Sequence, residues 1–349
     1  MKTGILKNNT DKNAPKAKQI EALGKNTGNL VFWEAIDRLF RPEVIPYAQT
    51  EKISSCGRMI ITDLIWIREG AEYAYLEKLV DKYPIPFVPV SVGLQSDRFD
   101  LGFRLSQNTL RLLKKIEERA ELGVRGQFTA DVLGKYGIKN LSVIGCPSMY
   151  YWNDPVFGVH GGEGPGRASA NFKTFYGRLS VPEKHFLSYC AQRDLLFVEQ
   201  TEHAFSQENA CDAKYFRFVG EWLSKRSVLP CSFEEWCRLL ADVDFSFGGR
   251  FHGNVIALWN GIRSLFLTVD SRTKELTDFF SLPVMQLSDF DRDKPLSWYY
   301  DRADYTLFNS RYPSLYQNFR RFALKNGLTF CEDAKPLPFS RGACLERRA

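Results

Sequence analysis

The sequence predicts an α/β protein made of two Rossmann-like domains facing across a cleft. Three observations carry this. Apolar runs of strand length alternate with amphipathic runs of helix length over most of the 349 residues, the pattern of parallel, doubly wound sheets. That length is too great for one ordinary core, so two domains are the default. A stretch from Tyr150 to Ala170 holds five glycines, Pro155 and Pro165, shows no periodicity, and divides the alternation in two.

Residues 1–18 are rich in Lys, Asn and Thr and read as a loose N-terminal segment. The first domain is expected over 19–155, a linker over 156–170 and the second domain over 171–311. A C-terminal helix over 312–330 can cross back onto the first domain, and 331–349 is a loose tail. Gln19 to Leu23 reads as a short strand or turn. The loop Gly24-Lys-Asn-Thr-Gly-Asn29 feeds a helix over Leu30 to Phe40, with Asn26, Thr27 or Asn29 as its capping residue. Arg58 to Asp63 reads as a buried strand and Ala71 to Lys82 as a helix. A strand over Pro86 to Val92 ends in Ser91-Val-Gly-Leu-Gln95. A long helix from Ser106 to Leu122 follows, then Arg125 between a strand end and a helix running to Tyr136, then a strand over Leu141 to Ile144.

In the second half, Phe172 to Leu179 reads as a strand, Val181 to Arg193 as a helix and Leu195 to Glu199 as a strand. Gln200, Glu202 and His203 lie just past the end of that strand. Ser232 and Glu235 form a capping box for a helix to Leu240. Asp242 to Phe247 and Ile262 to Val269 read as strands. Asp289 to Asn309 shows no clear element, and Tyr312 to Asn326 is helical.

Composition narrows the function classes. Hydrophobic content is 44% and charged content 25%, as in an ordinary globular protein. The net charge of +6 fits an anionic substrate or an anionic membrane surface. Without Lys/Arg blocks interleaved with aromatics, nucleic acid is disfavoured. Residues 1–20 have no apolar core, so no signal peptide is expected, and no apolar run reaches the length of a membrane span. The eight cysteines contain no Cys-x-x-Cys, which argues for reduced thiols, no metal site and a cytoplasmic setting. His160 among the linker glycines reads as solvated.

The densest chemistry lies in Gly248-Gly-Arg-Phe-His-Gly253. Both leading glycines are expected to give a tight turn with positive φ. Arg250 supplies a fixed cation, His252 a titratable imidazole, and Gly253 opens a helix whose positive end suits an anion. Strand Ile262 to Val269 then ends at Asp270-Ser-Arg272. Adjacent parallel strands gather ligands at their carboxyl ends, so Arg250, His252, Asp270 and Arg272 should share one crevice.

Gly248-Gly-Arg-Phe-His-Gly253, a helix, an Asn260-Gly261 turn, a strand and the Asp270-Ser-Arg272 step together resemble the polysaccharide pyruvyltransferase family. The resemblance also takes in the Gly24–Asn29 loop, Val124-Arg-Gly-Gln-Phe-Thr129 and Gly145-Cys-Pro-Ser148, and covers most of residues 24 to 286. It implies a fold like the B-type glycosyltransferases. It implies transfer of a pyruvyl group from phosphoenolpyruvate to a saccharide, free or lipid-linked, at the inner face of the membrane or in the cytoplasm, with no cofactor and no metal. By this resemblance the donor side holds Gly249, Arg250, Phe251, His252, Gly253 and Arg272. The acceptor side holds Asn26, Gly28 and Asn29, with Gln95 added from the carboxyl edge of its strand, where ligands gather, and Arg125 joins Arg250 and His252 in catalysis while sitting with the acceptor residues. The family usually has Lys where this chain has Arg272. Read without the resemblance, Arg125 is an ion-pair partner of Glu121 or Asp131, and Cys146 is a packed thiol with no His near it in sequence. A glycosyltransferase using a nucleotide sugar and a catalytically inactive sugar-binding protein are the alternative functions. His203 and Asp270 stand next after His252 as acid or base.

Overall fold

The structure, a computed structural model, describes residues 2–96, 99–162, 164–173, 179–201, 213–268 and 270–332. The first half runs β1 (Thr3–Leu6), α1 (Lys16–Ala22), α2 (Asn29–Phe40), β2 (Glu43–Ile45), a 3₁₀ helix (Tyr47–Ser55), β3 (Arg58–Ile61), α3 (Ala74–Lys82), β4 (Phe87–Pro89), α4 (Gln107–Glu117), β5 (Leu122–Val124), α5 (Gln127–Lys135) and β6 (Leu141–Val143). The second runs β7 (Ala168–Asn171), α6 (Val181–Gln192), β8 (Leu196–Val198), α7 (Ala213–Arg226), β9 (Ser227–Val228), α8 (Phe233–Leu239), β10 (Phe245–Gly248), α9 (Phe251–Trp259), β11 (Arg263–Thr268), α10 (Ser271–Phe280) and β12 (Val284–Gln286). Two helices close the described chain, α11 (Leu296–Asp301) and α12 (Thr306–Lys325).

Among the described residues all the strand pairs are parallel. The first sheet has the order β2-β1-β3-β4, and a bridge from Val92 to Val124 continues it onto the pair β5-β6. Its direction of winding reverses between β1 and β3. The second sheet has the order β12-β11-β10-β7-β8-β9 and reverses between β7 and β10. In an open parallel sheet the loops leave in opposite directions at such a point, and a crevice opens beyond the carboxyl ends of the strands. These are two Rossmann-like halves, as the alternation predicts.

The halves are tied across their junction. Glu275 of α10 reaches the start of α5, where it accepts from the Thr129 N–H (2.7 Å) and hydroxyl (3.0 Å). A side chain at Gly126 would collide with it, its Cβ lying 2.2 Å from Glu275 Cγ. Helix α12 packs back on the first half. Asn318 donates to the Val143 carbonyl (2.7 Å), Asn326 accepts from the Glu121 N–H (2.9 Å), and Phe319 stacks on Tyr150 at 4.2 Å.

Some expectations need correction. The expected loose segment begins with β1, an inner strand of the first sheet, where Ile5 and Leu6 are fully buried. Four residues beside a Lys-rich run carry no periodicity, and only pairing with β2 and β3 reveals the strand. Gln19 to Ala22 is helical rather than a strand. The strand expected from Phe172 is β7, four residues earlier. Its small residues Ala168, Ser169 and Ala170 have little strand propensity and are buried between β8 and β10. The stretch Asp289 to Asn309 contains α11 and the start of α12. Ser232 caps α8 by accepting from the Glu235 N–H (3.1 Å), but the Glu235 carboxylate accepts from the Cys231 N–H instead of closing a capping box.

Of the two glycines expected at positive φ, Gly248 alone has it, at φ 153°. A Cβ there would lie 1.8 Å from the Asn171 carbonyl oxygen. Gly248→Ala should therefore lower stability by at least about 2 kcal/mol. Urea denaturation measures this, and a change within about 0.5 kcal/mol would mean that the turn tolerates a side chain.

Candidate active site in the cleft

One side chain sets the turn after β10. Asn171, the buried last residue of β7, accepts from the Arg250 N–H through Oδ1 (2.9 Å). Its Nδ2 donates to Asn254 Oδ1 (2.8 Å), and Asn254 Nδ2 donates to the Gly248 carbonyl (2.9 Å). The turn is thereby fixed at the reversal point of the sheet. Helix α9 starts at Phe251, three residues before the expected Asn254, so His252 lies in its first turn. Gly253 gives room for the packing behind it: a Cβ would lie 2.8 Å from Gln200 Nε2 and 2.9 Å from Asn171 Cγ.

A cavity of about 230 Å³ opens here between the two sheets. Asn26, Asn29, Gln95 and Arg125 line it from the first half, and Gly249, Arg250, Phe251, His252 and Arg272 from the second. Gly28 and Gly253 lie behind the wall, Gly28 where a Cβ would meet Gln200 Oε1 at 2.4 Å. Asn26 Oδ1 accepts from the Gly28 N–H (3.0 Å) and Asn29 donates to the Leu23 carbonyl (2.9 Å), so the loop before α2 is braced by its own side chains. Gln95 Oε1 accepts from Arg68 (3.4 Å).

The cations differ in their partners. Arg125 is 5% exposed, and its Nε has no hydrogen-bond partner among the described residues. Glu121 pairs with Lys325 and Asp131 accepts from Gln127, so neither ion pair expected of an ordinary surface arginine forms. Arg125 is seated by its N–H on the Val92 carbonyl (2.8 Å) and by Gly93, whose Cβ would lie 2.9 Å from its guanidinium carbon. Burial lowers its pKa. Arg272 donates twice to Asp270 Oδ2 (3.2 and 2.9 Å) and lies over Trp66 at 5.6 Å. Asp270 also caps α10 through the Thr273 N–H (3.0 Å). Burial alone would raise the Asp270 carboxyl, but Arg272 and that N–H hold it below the usual range. Arg250 donates to Thr201 Oγ1 (3.2 Å).

His252 sits between these charges. Burial, reinforced by Arg125 and Arg272, pushes it down to about 3, so the ring is neutral near pH 7. Phe32 packs on it at 5.6 Å, and its Nε2 lies 3.5 Å from Cys146 Sγ. The chain thus brings a His to Cys146 that sequence distance had hidden. Burial raises the Cys146 pKa, so it is a thiol, and Ser148 donates to it (3.1 Å).

The sequence pattern of the polysaccharide pyruvyl transferase family matches residues 26–271, from the loop before α2 to the start of α10. The chain belongs to that family. None of the curated proteins compared matches it. Among solved structures, a lipopolysaccharide outer core galactosyltransferase, WaaB, is 11% identical, with 93% of this chain and 99% of that one covered at a TM-score of 0.44. The UDP-GlcNAc 2-epimerase of Methanocaldococcus jannaschii is 9% identical, with 89% and 98% covered at 0.42.

For a polysaccharide pyruvyl transferase, the wall has members that the motifs did not single out. Trp66, Lys173 and Gln200 line the cavity. Lys173 is ion-paired with Glu183 at 2.8 Å. Lys173 and Gln200 each lie two residues past the end of β7 and β8; the sequence places Gln200 at its strand end, and a strand boundary placed correctly at Asn171 would have drawn attention to Lys173 as well. Trp66 lies in a loop with no motif. Glu202 and His203 lie outside the described residues, and His160 is exposed. Among the described residues, no three His, Cys, Asp or Glu side chains group as metal ligands, and no helix is long and apolar enough to cross a membrane.

The His252 environment has a pH signature. Its pKa of about 3 in the folded protein lies below the ordinary value of about 6.5 in the unfolded chain. Between those values the unfolded chain binds more protons, so stability falls on acidification through that window. NMR titration should keep the ring neutral well below pH 6, and His252→Asn should flatten the loss of stability with acid. A ring titrating at its ordinary value would show that neither burial nor the arginines act on it.

Proposed function

We propose that this chain transfers the pyruvyl group of phosphoenolpyruvate to a saccharide, forming a ketal. The observation that carries the reading is Arg125, a buried cation whose Nε has no partner among the described residues, in one small cavity with Arg250, Arg272 and a neutral His252. The carboxyls that act on its charge, Glu275 and Asp270, are already bonded to Thr129 and Arg272, and a dianionic donor would add the charge-assisted bonds that a buried guanidinium favours. Phosphoenolpyruvate carries a phosphate and a carboxylate, and planar arginine forks suit both.

In the reaction, a proton adds to the methylene carbon of the donor and leaves the central carbon electrophilic. A sugar hydroxyl attacks that carbon and gives up its proton. The bond from the central carbon to the phosphate oxygen breaks, phosphate leaving with the electron pair. A second hydroxyl then attacks, loses its proton and closes the ketal. His252 starts neutral and is suited to take a hydroxyl proton. The negative donor offsets Arg125 and Arg272, which raises the pKa of the ring and favours its holding that proton. Asn26, Asn29 and Gln95 face the saccharide from the first half, and the saccharide is free or lipid-linked. Arg125, first expected with the acceptor residues, is assigned here to the donor because Arg272 and His252 share its surroundings.

Arg125→Ala and Arg250→Ala should each weaken phosphoenolpyruvate binding by roughly 1.5–3 kcal/mol, measured by calorimetric titration without acceptor. His252→Asn should keep donor binding and slow phosphate release in the presence of saccharide by about 10²–10⁴-fold. Thermal protection by UDP-sugars but not by phosphoenolpyruvate would sink this reading and favour the glycosyltransferase.

A further inference from the structure

The reversal point of the first sheet carries a second cluster, outside the cavity. Asp63 follows β3 directly. Tyr47 follows β2, and Tyr75 lies in the first turn of α3. The Tyr47 hydroxyl donates to Asp63 Oδ1 at 2.8 Å, and the Tyr75 hydroxyl donates to the same oxygen. The two rings meet edge to face, their centroids 6.1 Å apart. Both remain open to solvent, Tyr47 at 37% and Tyr75 at 43%. Asp63 Oδ2 is buried and has no hydrogen-bond partner among the described residues, so the acceptors on the surface are the two phenol oxygens.

Bonding the Asp63 carboxylate accounts for only part of this arrangement. Two hydroxyls meet on one oxygen, yet more than a third of each tyrosine's surface is left in water. Two tethered hydroxyls fix both rings while leaving each partly exposed. Each phenol oxygen spends its proton on Asp63 and keeps lone pairs for an outside donor. Fixed aromatic faces bordered by acceptors suit a sugar ring, whose C–H face packs on the π surface while its hydroxyls donate around it. Fixing the rings in advance removes ordering cost from binding.

A short stretch of chain joins the cluster to the cavity wall. Three residues on from Asp63, at most about 11 Å along the chain, Trp66 lines the cavity wall beside Arg272. Trp66 is itself only partly buried.

We propose that Tyr47, Tyr75 and Asp63 form a saccharide subsite, which holds a sugar unit of the acceptor chain next to the unit reacting in the cavity. The inference rests on the saccharide acceptor of the proposed function and extends it to oligosaccharides. The subsite makes the enzyme a reader of chain length: a monosaccharide reaches only the cavity, and a longer acceptor gains the tyrosine platform.

Saturation-transfer NMR on the full chain, with mono- to tetrasaccharides of glucose, galactose and mannose and their N-acetylated forms, tests it. At least one oligosaccharide should bind more tightly than its monosaccharide. The double variant Tyr47→Ala/Tyr75→Ala should abolish that gain, losing about tenfold in affinity. Tyr47→Phe/Tyr75→Phe keeps the ring faces and should retain much of it, and a purely structural role would predict loss of stability without this split. Equal oligosaccharide affinity in wild type and the Ala variant would overturn the subsite. So would a panel in which no oligosaccharide binds more tightly than its monosaccharide, or tetramethylammonium binding that the Ala variant loses in place of sugar. Phosphoenolpyruvate titrations on the same samples separate the two ideas. Tyrosine-dependent glycan binding without donor binding would sink the donor reading alone, and unchanged kcat/KM of the Ala variant for a tetrasaccharide would sink the subsite alone.

Discussion

The cleft depends on the contact between Asn171 and the turn from Gly248 to Arg250. β7 and β10 are paired, so the end of one strand lies against the loop leaving the other. Asn171 uses both ends of its amide there. The oxygen takes the Arg250 N–H, and the nitrogen reaches Asn254, which holds the Gly248 carbonyl. Gly248 passes so close to the Asn171 carbonyl that no side chain fits between them. With the turn fixed, α9 begins at Phe251 and delivers His252 to the cavity in its first turn. Gly28 and Gly253 then leave room for Gln200, itself a lining residue of the cavity, to pack against both. The Thr27 N–H donates to the Gln200 carbonyl (2.7 Å), which brings the loop before α2 to the second sheet.

The electrostatics follow from this geometry. Arg125 and Arg272 come from different halves of the chain, and both depress the His252 pKa. Asp270 neutralises Arg272, and its second oxygen is committed to the α10 cap. Among the described residues the Nε of Arg125 has no partner, and the side chain is held in place by the Val92 carbonyl beneath its backbone and by the bare surface of Gly93. Glu275 adds a link of another kind. Burial raises its pKa, and it spends both oxygens on Thr129. It therefore acts mainly as a clamp between α10 and α5, the helix that begins two residues after Arg125.

The sequence by itself determined the α/β class, the two wound halves and the motifs that meet in the cleft. Strand–helix alternation is a local property, written in periodicity. Glycines beside Arg250 and His252 mark a turn wherever they occur. Family resemblance placed Arg125 and the Gly24–Asn29 loop in the same site without any distance, and the end of its strand pointed to Gln95. Sequence did not reveal β1 or β7. Thr3–Leu6 and Ala168–Asn171 are short, and β7 is made of small residues, so their strand character comes from neighbours on both sides rather than from their own side chains.

Tertiary structure decided which groups are partnered. Whether an arginine is a surface ion pair or a buried cation depends on which carboxylates fold near it, and Glu121 and Asp131 are engaged by Lys325 and Gln127. Cys146 and His252 are 106 residues apart in the chain and 3.5 Å apart in the fold. Tyr47, Asp63 and Tyr75 belong to three elements, and no sequence window shows their hydroxyls meeting on one oxygen. Periodicity reports the face a residue lies on, whereas partners, burial and charge are set by elements brought together from distant parts of the chain.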